Sequence, residues 1–530
     1  GGYRNVLGND YNFKRIKAGF AGNLVNTTDT FQTSQFARPM VYAEYHLKEL
    51  MNTYLGAKYE LEHNEVKNKI SDTLLPTAFS FDLASAYLRT SELQPARWSL
   101  TYFTRRDRTP YLNEFRKQNH SHNVDVKLGF SQWKNHNINF TGTYRQLVVD
   151  DTTLSNLQPD ETLLGRLEYT GTAMRNVIGL NTLYEFGAGQ EQKRSYTFVE
   201  VAAGQGVYTW NDYNSDGVQQ ANEFQLALYQ DQKRFIKVFT PTNEYVKVNY
   251  VNFNFSLTLD PEYFWQRDER NGLQKFISRF SSQTALQVSN RLLAEEGLRA
   301  YNPFIDVLRD ESIILTTSSL SNSIYFNRTS TKWGLDYNLL YNAGKQLLIY
   351  GVEGSQSRQH LYKVRWNITR PLTVNLVGKN GNRSYESALD DNRAYSVVNY
   401  SAEPSLTWLH RSVLRITGGL RYEEKQNDII YGGEKATIQS LNLEVRYSKP
   451  TIGLIQARGM YSAIDFNGVI TDPVAFTMLE ALQPGSNYLW YMNWERRVGK
   501  GIEISLEYEG RKPGTGTIIH TGRMSVRAIL

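Results

Sequence analysis

Apolar and polar side chains alternate one for one along most of this chain. In residues 501–510, Ile502, Ile504, Leu506 and Tyr508 alternate with Glu503, Ser505, Glu507 and Glu509. Residues 361–368 set Tyr362, Val364, Trp366 and Ile368 against Lys363, Arg365 and Asn367. The last segment sets Met524, Val526, Ala528 and Leu530 against Arg523, Ser525 and Arg527. Val124/Val126/Leu128/Phe130, Ile138/Phe140/Gly142/Tyr144, Phe253/Phe255/Leu257/Leu259 and Leu441/Leu443/Val445/Tyr447 repeat the pattern. A period of two sends successive side chains to opposite faces of a strand, so each segment predicts a strand with one greasy and one polar face. Helical periodicity is weak throughout, and a short helix is expected only near 221–230.

The segments run to about 10–14 residues, whereas soluble strands average about 5–6 and a tilted strand needs about 9–11 to cross a hydrocarbon layer. The expected fold is all-β: one large antiparallel transmembrane β-barrel spanning 1–530, of roughly 22–26 strands. The connections alternate in length. Short turns are expected at Thr369-Arg370-Pro371, His410-Arg411, Lys449-Pro450 and Val498-Gly499-Lys500, and longer loops near 383–393, 424–436 and 466–484. Transmembrane barrels have this asymmetry, with short periplasmic turns and longer external loops. Residues 188–244 break the rhythm and form an inserted excursion. Counting back from the C-terminus puts it at the short-turn end. Counting forward from the turns at Lys134-Asn135 and Met174-Arg175 puts it at the other, so a strand between 188 and 345 escapes the count or is split wrongly.

Composition adds a second constraint. Hydrophobic residues make up 40% and charged residues 21%, with 35 Tyr, 24 Phe and 9 Trp. A polar interior, an apolar band and aromatic girdles require this mixture. A soluble or surface-attached β-sandwich protein that binds glycan or protein has a similar composition and is the alternative. No linker-like segment divides the 530 residues, which favours one large sheet over an array. No run of about 18 apolar residues predicts a membrane-crossing helix, and the opening Gly1-Gly2-Tyr3-Arg4 contains no apolar leader. The net charge of +6 is spread without a basic stripe, so nucleic acid is not an expected partner. The absence of cysteine excludes disulfides, thiolate metal sites and a Cys nucleophile.

One stretch carries chemistry. Residues 212–223, Asp-Tyr-Asn-Ser-Asp-Gly-Val-Gln-Gln-Ala-Asn-Glu, fit the calcium-loop pattern D-x-[DN]-x-[DN]-G-x5-E. Calcium takes six to eight oxygens. Asp212, Asn214 and Asp216 offer them from alternate positions, Gly217 permits the sharp turn, Val218 offers its carbonyl, Gln220 acts directly or through water, and Glu223 closes the site with both carboxylate oxygens. The flanks do not form a helix pair, so a structural Ca2+ staple is expected here. The competing view is an Asn/Asp/Gly-rich surface loop.

Other candidates are weaker. His120 and His122 share a strand face but lack a third zinc ligand, so a solvated turn is favoured. Asp150-Asp151 and Asp390-Asp391 are acidic pairs in expected loops, more consistent with solvated tips than with acid–base work. Inward Lys363, Arg365, Arg446, Arg523 and Arg527 either line a pore or pair with inward Glu. No nucleophile or zinc-hydrolase motif is present, and no enzyme activity is expected.

Two stretches look familiar: Gly187-Ala188-Gly189-Gln190-Glu191-Gln192, and Gly204-Gln205-Gly206-Val207-Tyr208-Thr209-Trp210-Asn211-Asp212-Tyr213. So do Phe239-Thr240-Pro241-Thr242-Asn243-Glu244 and the ending His520 to Leu530. Together, from about Leu163 onward, they resemble the C-terminal barrel region of large outer-membrane proteins of the Bacteroidota. The resemblance implies a bacterial outer-membrane location and a further N-terminal part, and it assigns no activity. The expected function is a channel, a translocon or a subunit of a larger outer-membrane complex. Outer-membrane lipid and protein subunits are the expected partners, and 188–244 serves as plug, lid or docking element.

Overall fold

The computed structural model describes the chain except for residues 51, 132, 156–158, 266–270, 306–311, 349–350, 389–392, 499–500 and 529–530. Among the described residues there are twenty-five strands, and two of them, β11 (Tyr208–Trp210) and β12 (Phe224–Leu226), are only three residues long. All belong to one hydrogen-bonded sheet. The all-β class, the antiparallel order and the strand number agree with the sequence pattern.

The chain divides into two compact units. The first comprises Gly1–Ala173, Leu180–Gly189 and Asn249–Asn254, and the second Met174–Gly179, Gln190–Val248 and Phe255–Leu530. In the first unit, β1 (Gly2–Phe13), β2 (Ile16–Thr28), β3 (Gln32–Leu47), β4 (Thr53–Asn68), β5 (Phe79–Thr90), β6 (Ala96–Tyr111), β7 (Glu114–Phe130), β8 (His136–Val149) and β9 (Asp160–Ala173) form a meander. Each pairs antiparallel with the next. The turns place residues in the left-handed region: Asn52 (φ 52) and Asn135 (φ 70), a residue type enriched there, and also Lys14 (φ 52).

The long strands β10 (Ile178–Glu200) and β13 (Phe235–Leu259) take in both ends of the 188–244 stretch, leave 201–234 between them as the excursion, and contribute to both units. The second unit continues with β14 (Phe280–Leu293), β15 (Ile313–Phe326), β16 (Trp333–Leu348), β17 (Gly351–Asn367), β18 (Leu372–Ser387) and β19 (Tyr395–His410). It ends with β20 (Leu414–Asn427), β21 (Lys435–Lys449), β22 (Gly453–Phe466), β23 (Gly485–Val498), β24 (Ile502–Lys512) and β25 (Ile519–Ala528). From β14 onward each strand pairs antiparallel with its successor.

This connectivity settles which end of the strands the excursion shares. In the second unit the connections after β10, β14, β20, β22 and β24 lie at one end, and those after β15, β17, β19 and β21 at the other. The excursion therefore shares its end with 294–312, 428–434 and 467–484, and opposes the short turns. The alternation of ends could not be followed through 188–345 from sequence because β10 and β13 are 23 and 25 residues long. In addition, 260–279 and 294–312 hold helical turns, among them α1 (Gly272–Ile277). The helix expected near 221–230 is instead two three-residue 3₁₀ turns, 221–223 and 230–232, separated by β12. The turn at Val498-Gly499-Lys500 falls partly, and Asp390-Asp391 wholly, outside the described residues.

Burial is inverted relative to a water-soluble sheet. On β7, Asn119, Ser121 and Asn123 are buried while Leu128 and Phe130 of the opposite face are exposed. On β21, Ala436, Ile438 and Ser440 are buried while Leu441 and Leu443 stand exposed. The register extends this apolar face across strands: Leu420 opposes Leu441, Leu441 opposes Tyr461, and Tyr461 opposes Tyr488, all of them exposed. Near the short turns the same face carries Trp333, Trp366, Trp408 and Trp494, and past mid-strand toward the other end Tyr400, Tyr422, Tyr461 and Tyr488. The polar face is laced with ion pairs, such as Glu44 with Arg89 (2.8 Å) in the first unit and Lys379 with Glu403 (2.7 Å) in the second.

In the second unit the buried apolar core lies on this polar-side face. The 467–484 connection, with α2 (Pro473–Met478), folds down so that Val474, Ala475, Met478, Leu479 and Leu482 cover Val397, Ala436, Ile438 and Ile464. Sequence pattern alone gives that stretch as one of the longer loops; its apolar residues pack against the sheet.

Candidate calcium site and the cavity beside it

The motif residues form a compact turn between β11 and β12, two short strands paired from Tyr208↔Leu226 to Trp210↔Phe224. Ser215 (φ 59) and Gly217 (φ 71) take left-handed conformations, and no atom crowds the place a Gly217 Cβ would occupy. The need for glycine there is therefore conformational. Asp212, Asp216 and Glu223 bring one carboxylate oxygen each to within 4.8 Å of one another.

Backbone amides hold the carboxylates in place. Asp212 Oδ2 accepts from the Gly217 amide (2.9 Å), Asp216 Oδ1 from Val218 (2.7 Å) and Glu223 Oε2 from Gln220 (3.2 Å). The Trp210 indole donates to Glu223 Oε2 (2.7 Å). Asn214 and Gln220 donate their amide nitrogens to Asp216 Oδ2 (2.9 and 2.6 Å); a half-turn of each amide presents its oxygen instead. Val218 is exposed beside the turn. The structure thus brings the Asp212, Asp216 and Glu223 carboxylates together, with Asn214 and Gln220 hydrogen-bonded to Asp216.

One atom stands out. Glu223 is 1% exposed, and its Oε1 has no hydrogen-bond partner. A buried carboxylate oxygen left unpaired is costly. A cation among Asp212, Asp216 and Glu223 removes that cost and the repulsion among three close anions. The donor set is all oxygen and hard, which suits calcium and not a thiophilic metal.

The other sequence candidates do not assemble. His120 Nδ1 contacts Asp150 (2.9 Å), His122 Nδ1 contacts the Tyr102 hydroxyl (2.7 Å), and Asp151 accepts from the Thr153 backbone (2.8 Å). Of the inward cations, Arg523 faces Glu507 (3.6 Å) and Arg365 donates to the Ser330 carbonyl (3.0 Å).

Pattern reasoning missed a cavity of about 650 Å³ in the second unit, on the polar-side face beneath the excursion. Its walls come from β10, β12, β13, the 467–484 segment and β16 to β20. Glu353, buried, is the hub: it accepts from Tyr196 (3.1 Å), Gln346 (2.9 Å) and Tyr385 (3.3 Å) and pairs with Lys237 (3.4 Å). The Lys237 ammonium lies 3.6 Å from the Tyr196 ring centroid. Opposite, Glu480 accepts from Arg421 (3.0 Å) and Lys425 (2.8 Å). Burial pushes the Glu480 carboxyl up, but the Arg421 and Lys425 cations outweigh it and hold the pKa at about 2. The excursion is tied down by Asp231 to Arg511 (2.7 Å) and Tyr229 to the Glu480 carbonyl (3.4 Å). None of these groups belongs to a motif. For Tyr196, Lys237, Gln346, Glu353, Tyr385, Arg421 and Lys425 the signal is position, polar or amphipathic residues on the inward parity of long strands, whereas Tyr229, Asp231 and Glu480 lie in connections and carry no such signal.

No family model matches the chain, and no curated protein does. Solved structures overlay its strands only loosely. The siderophore receptor PiuA from Acinetobacter baumannii is 11% identical at a TM-score of 0.33, covering 98% of this chain and 82% of that one. The outer membrane transporter YddB from Escherichia coli is 9% identical at 0.32, covering 96% and 74%. BauA, the ferric preacinetobactin receptor from Acinetobacter baumannii, is 9% identical at 0.32, covering 99% and 77%. At such scores the likeness carries no argument about this chain.

Proposed function

We propose that this chain is a bacterial outer-membrane β-barrel region, working as a channel, a translocon or a subunit of a larger outer-membrane complex, with a structural calcium site in its excursion. The supporting observation is the inverted burial: apolar rows such as Leu420, Leu441, Tyr461 and Tyr488 are exposed while Asn119, Ser121 and Asn123 are buried. In water such a face is an aggregation surface; in a bilayer it is solvated by lipid tails. The Trp row near the short turns suits a membrane interface. A closed antiparallel sheet is the one β arrangement that satisfies its backbone groups inside lipid, and the strand-to-strand meander supports that reading. A soluble sandwich requires a second layer over the apolar face, and among the described residues that face is bare.

The excursion leaves at the end with the longer connections, which in outer-membrane barrels is the external end. There the calcium loop meets the medium, where lone loops bind in the range of about 10⁻⁴–10⁻³ M. The excursion and the 467–484 segment lie over the polar face and act as plug or lid. The motifs at Gly187–Gln192 and Gly204–Tyr213 support membership among the large outer-membrane proteins of the Bacteroidota. Fractionation and planar-bilayer recording test the reading together. The chain is expected in the outer-membrane fraction, released only by detergent, with conductance that increases when 201–234 is removed. A chain that is monodisperse in plain buffer sinks the membrane assignment, and silence with and without the excursion sinks the channel.

A further inference from the structure

From the same cavity we infer a further site: it binds a small organic anion, a carboxylate or phosphate carried on a flat apolar or aromatic body, with Arg393 as the charge partner. Arg393 is 7% exposed. Its guanidinium donates to the Phe224 carbonyl (3.3 Å) and lies 5.3 Å from the Tyr385 ring centroid. Its Nε has no hydrogen-bond partner, and among the described residues no carboxylate pairs with it. Removing a guanidinium from water without a counter-anion costs several kcal/mol, and a fold keeps such a group where something else supplies the anion.

The cavity's own carboxylates cannot serve. Glu353 is engaged by Tyr196, Lys237, Gln346 and Tyr385, and Glu480 by Arg421 and Lys425. Arg383, on the rim of the same cavity, is exposed and makes no ion pair among the described residues. Four cations, Lys237, Arg383, Arg393 and Lys425, therefore line the space against two carboxylates that are already occupied. A guanidinium presents a planar fork that fits carboxylate or phosphate oxygens in pairs. Phe224, Tyr385, Tyr395 and Phe476 supply flat apolar walls for the body of the ligand, and the volume suits a molecule of that size.

The test uses the full chain in detergent with saturating calcium, and four probes of one shape: benzoate, phenyl phosphate, neutral benzamide and cationic benzylamine. Titration calorimetry is expected to show uptake of benzoate or phenyl phosphate at least tenfold tighter than of benzamide, and none of benzylamine. Arg393→Met abolishes the difference, and Arg393→Lys, which keeps charge but not the fork, lowers it severalfold. Arg383→Gln, at an exposed position where folding is not at risk, weakens anion uptake severalfold. Benzamide binding as tightly as benzoate overturns the inference, as does unchanged anion uptake in both Arg393→Met and Arg383→Gln. Which anion wins identifies the headgroup. Calcium uptake, measured separately on the same preparation, stays intact if only the anion site is wrong.

Discussion

Leu441 sits near the middle of β21, 55% exposed, between Leu420 and Tyr461 on the neighbouring strands. Replacing it by arginine removes little packing, because few protein atoms cover it. What the substitution costs is therefore set by the surrounding solvent. In water a surface change of this kind shifts stability by about 0.5 kcal/mol or less. At the midplane of a lipid face an arginine costs about 2–4 kcal/mol, or roughly a 30- to 1,000-fold loss in the folding equilibrium. Asn442→Arg is the internal control, since Asn442 points to the polar face that also carries Glu444 and Arg458. The assay is reversible folding into lipid vesicles under denaturant titration, read by tryptophan fluorescence and by migration of unheated samples on gels. Leu441→Arg is expected to lose about 2–4 kcal/mol and Asn442→Arg less than about 1. Equal and small losses in both variants would refute a lipid-facing Leu441, and with it the assignment of faces.

Three further outcomes follow from the inner-face structures. Met478→Ala, at a position with 0% exposure, opens a cavity under α2 costing about 2–5 kcal/mol; because the loss falls on docking of 467–484, hydrogen exchange there rises while strand amides stay protected, and unchanged exchange contradicts the packing. The Glu480 carboxyl, held at about 2 against an ordinary 4.5, stabilises that docking by about 3 kcal/mol above pH 4.5. This is lost as pH falls from about 4.5 toward 2, so proteolysis within 467–484 should increase over that window in the wild type and be pH-independent in Glu480→Gln. Chelation of calcium should lower the temperature at which 201–234 becomes protease-sensitive, and Glu223→Gln should weaken calcium uptake at least tenfold; a wild-type protein indifferent to chelator argues against the staple.

Much of the sheet was legible because period-two alternation is local and each long strand repeats it many times. The outward parity of Ile502, Leu506 and Tyr508, or of Tyr362, Val364 and Trp366, needs no tertiary information. The alternation of ends was lost between 188 and 345, where β10 and β13 run far past a typical crossing length and helical turns interrupt the rhythm. The packing of the 467–484 loop was not read although Val474, Ala475, Met478, Leu479 and Leu482 recur at helical spacing, a signal too short to weigh against the surrounding strands. The close approach of Asp212, Asp216 and Glu223 was readable because the calcium-loop pattern fixes residue type and spacing within twelve positions. The roles of Trp210, Glu353 and Arg393 were not, because each depends on partners far along the chain.

A sheet whose greasy side faces a fluid has an unusual tolerance of change. Lipid tails have no fixed shape to match, so Leu, Ile, Val and Phe should interchange at positions such as 420, 441 and 443 with little effect. The watery side should drift differently. Lys379 and Glu403, or Arg421 and Lys425 with Glu423 and Glu480, are electrically matched, so a lone reversal of sign there leaves like charges face to face. Descendants of this sequence should therefore vary freely in outward bulk and exchange inward charges only in concert.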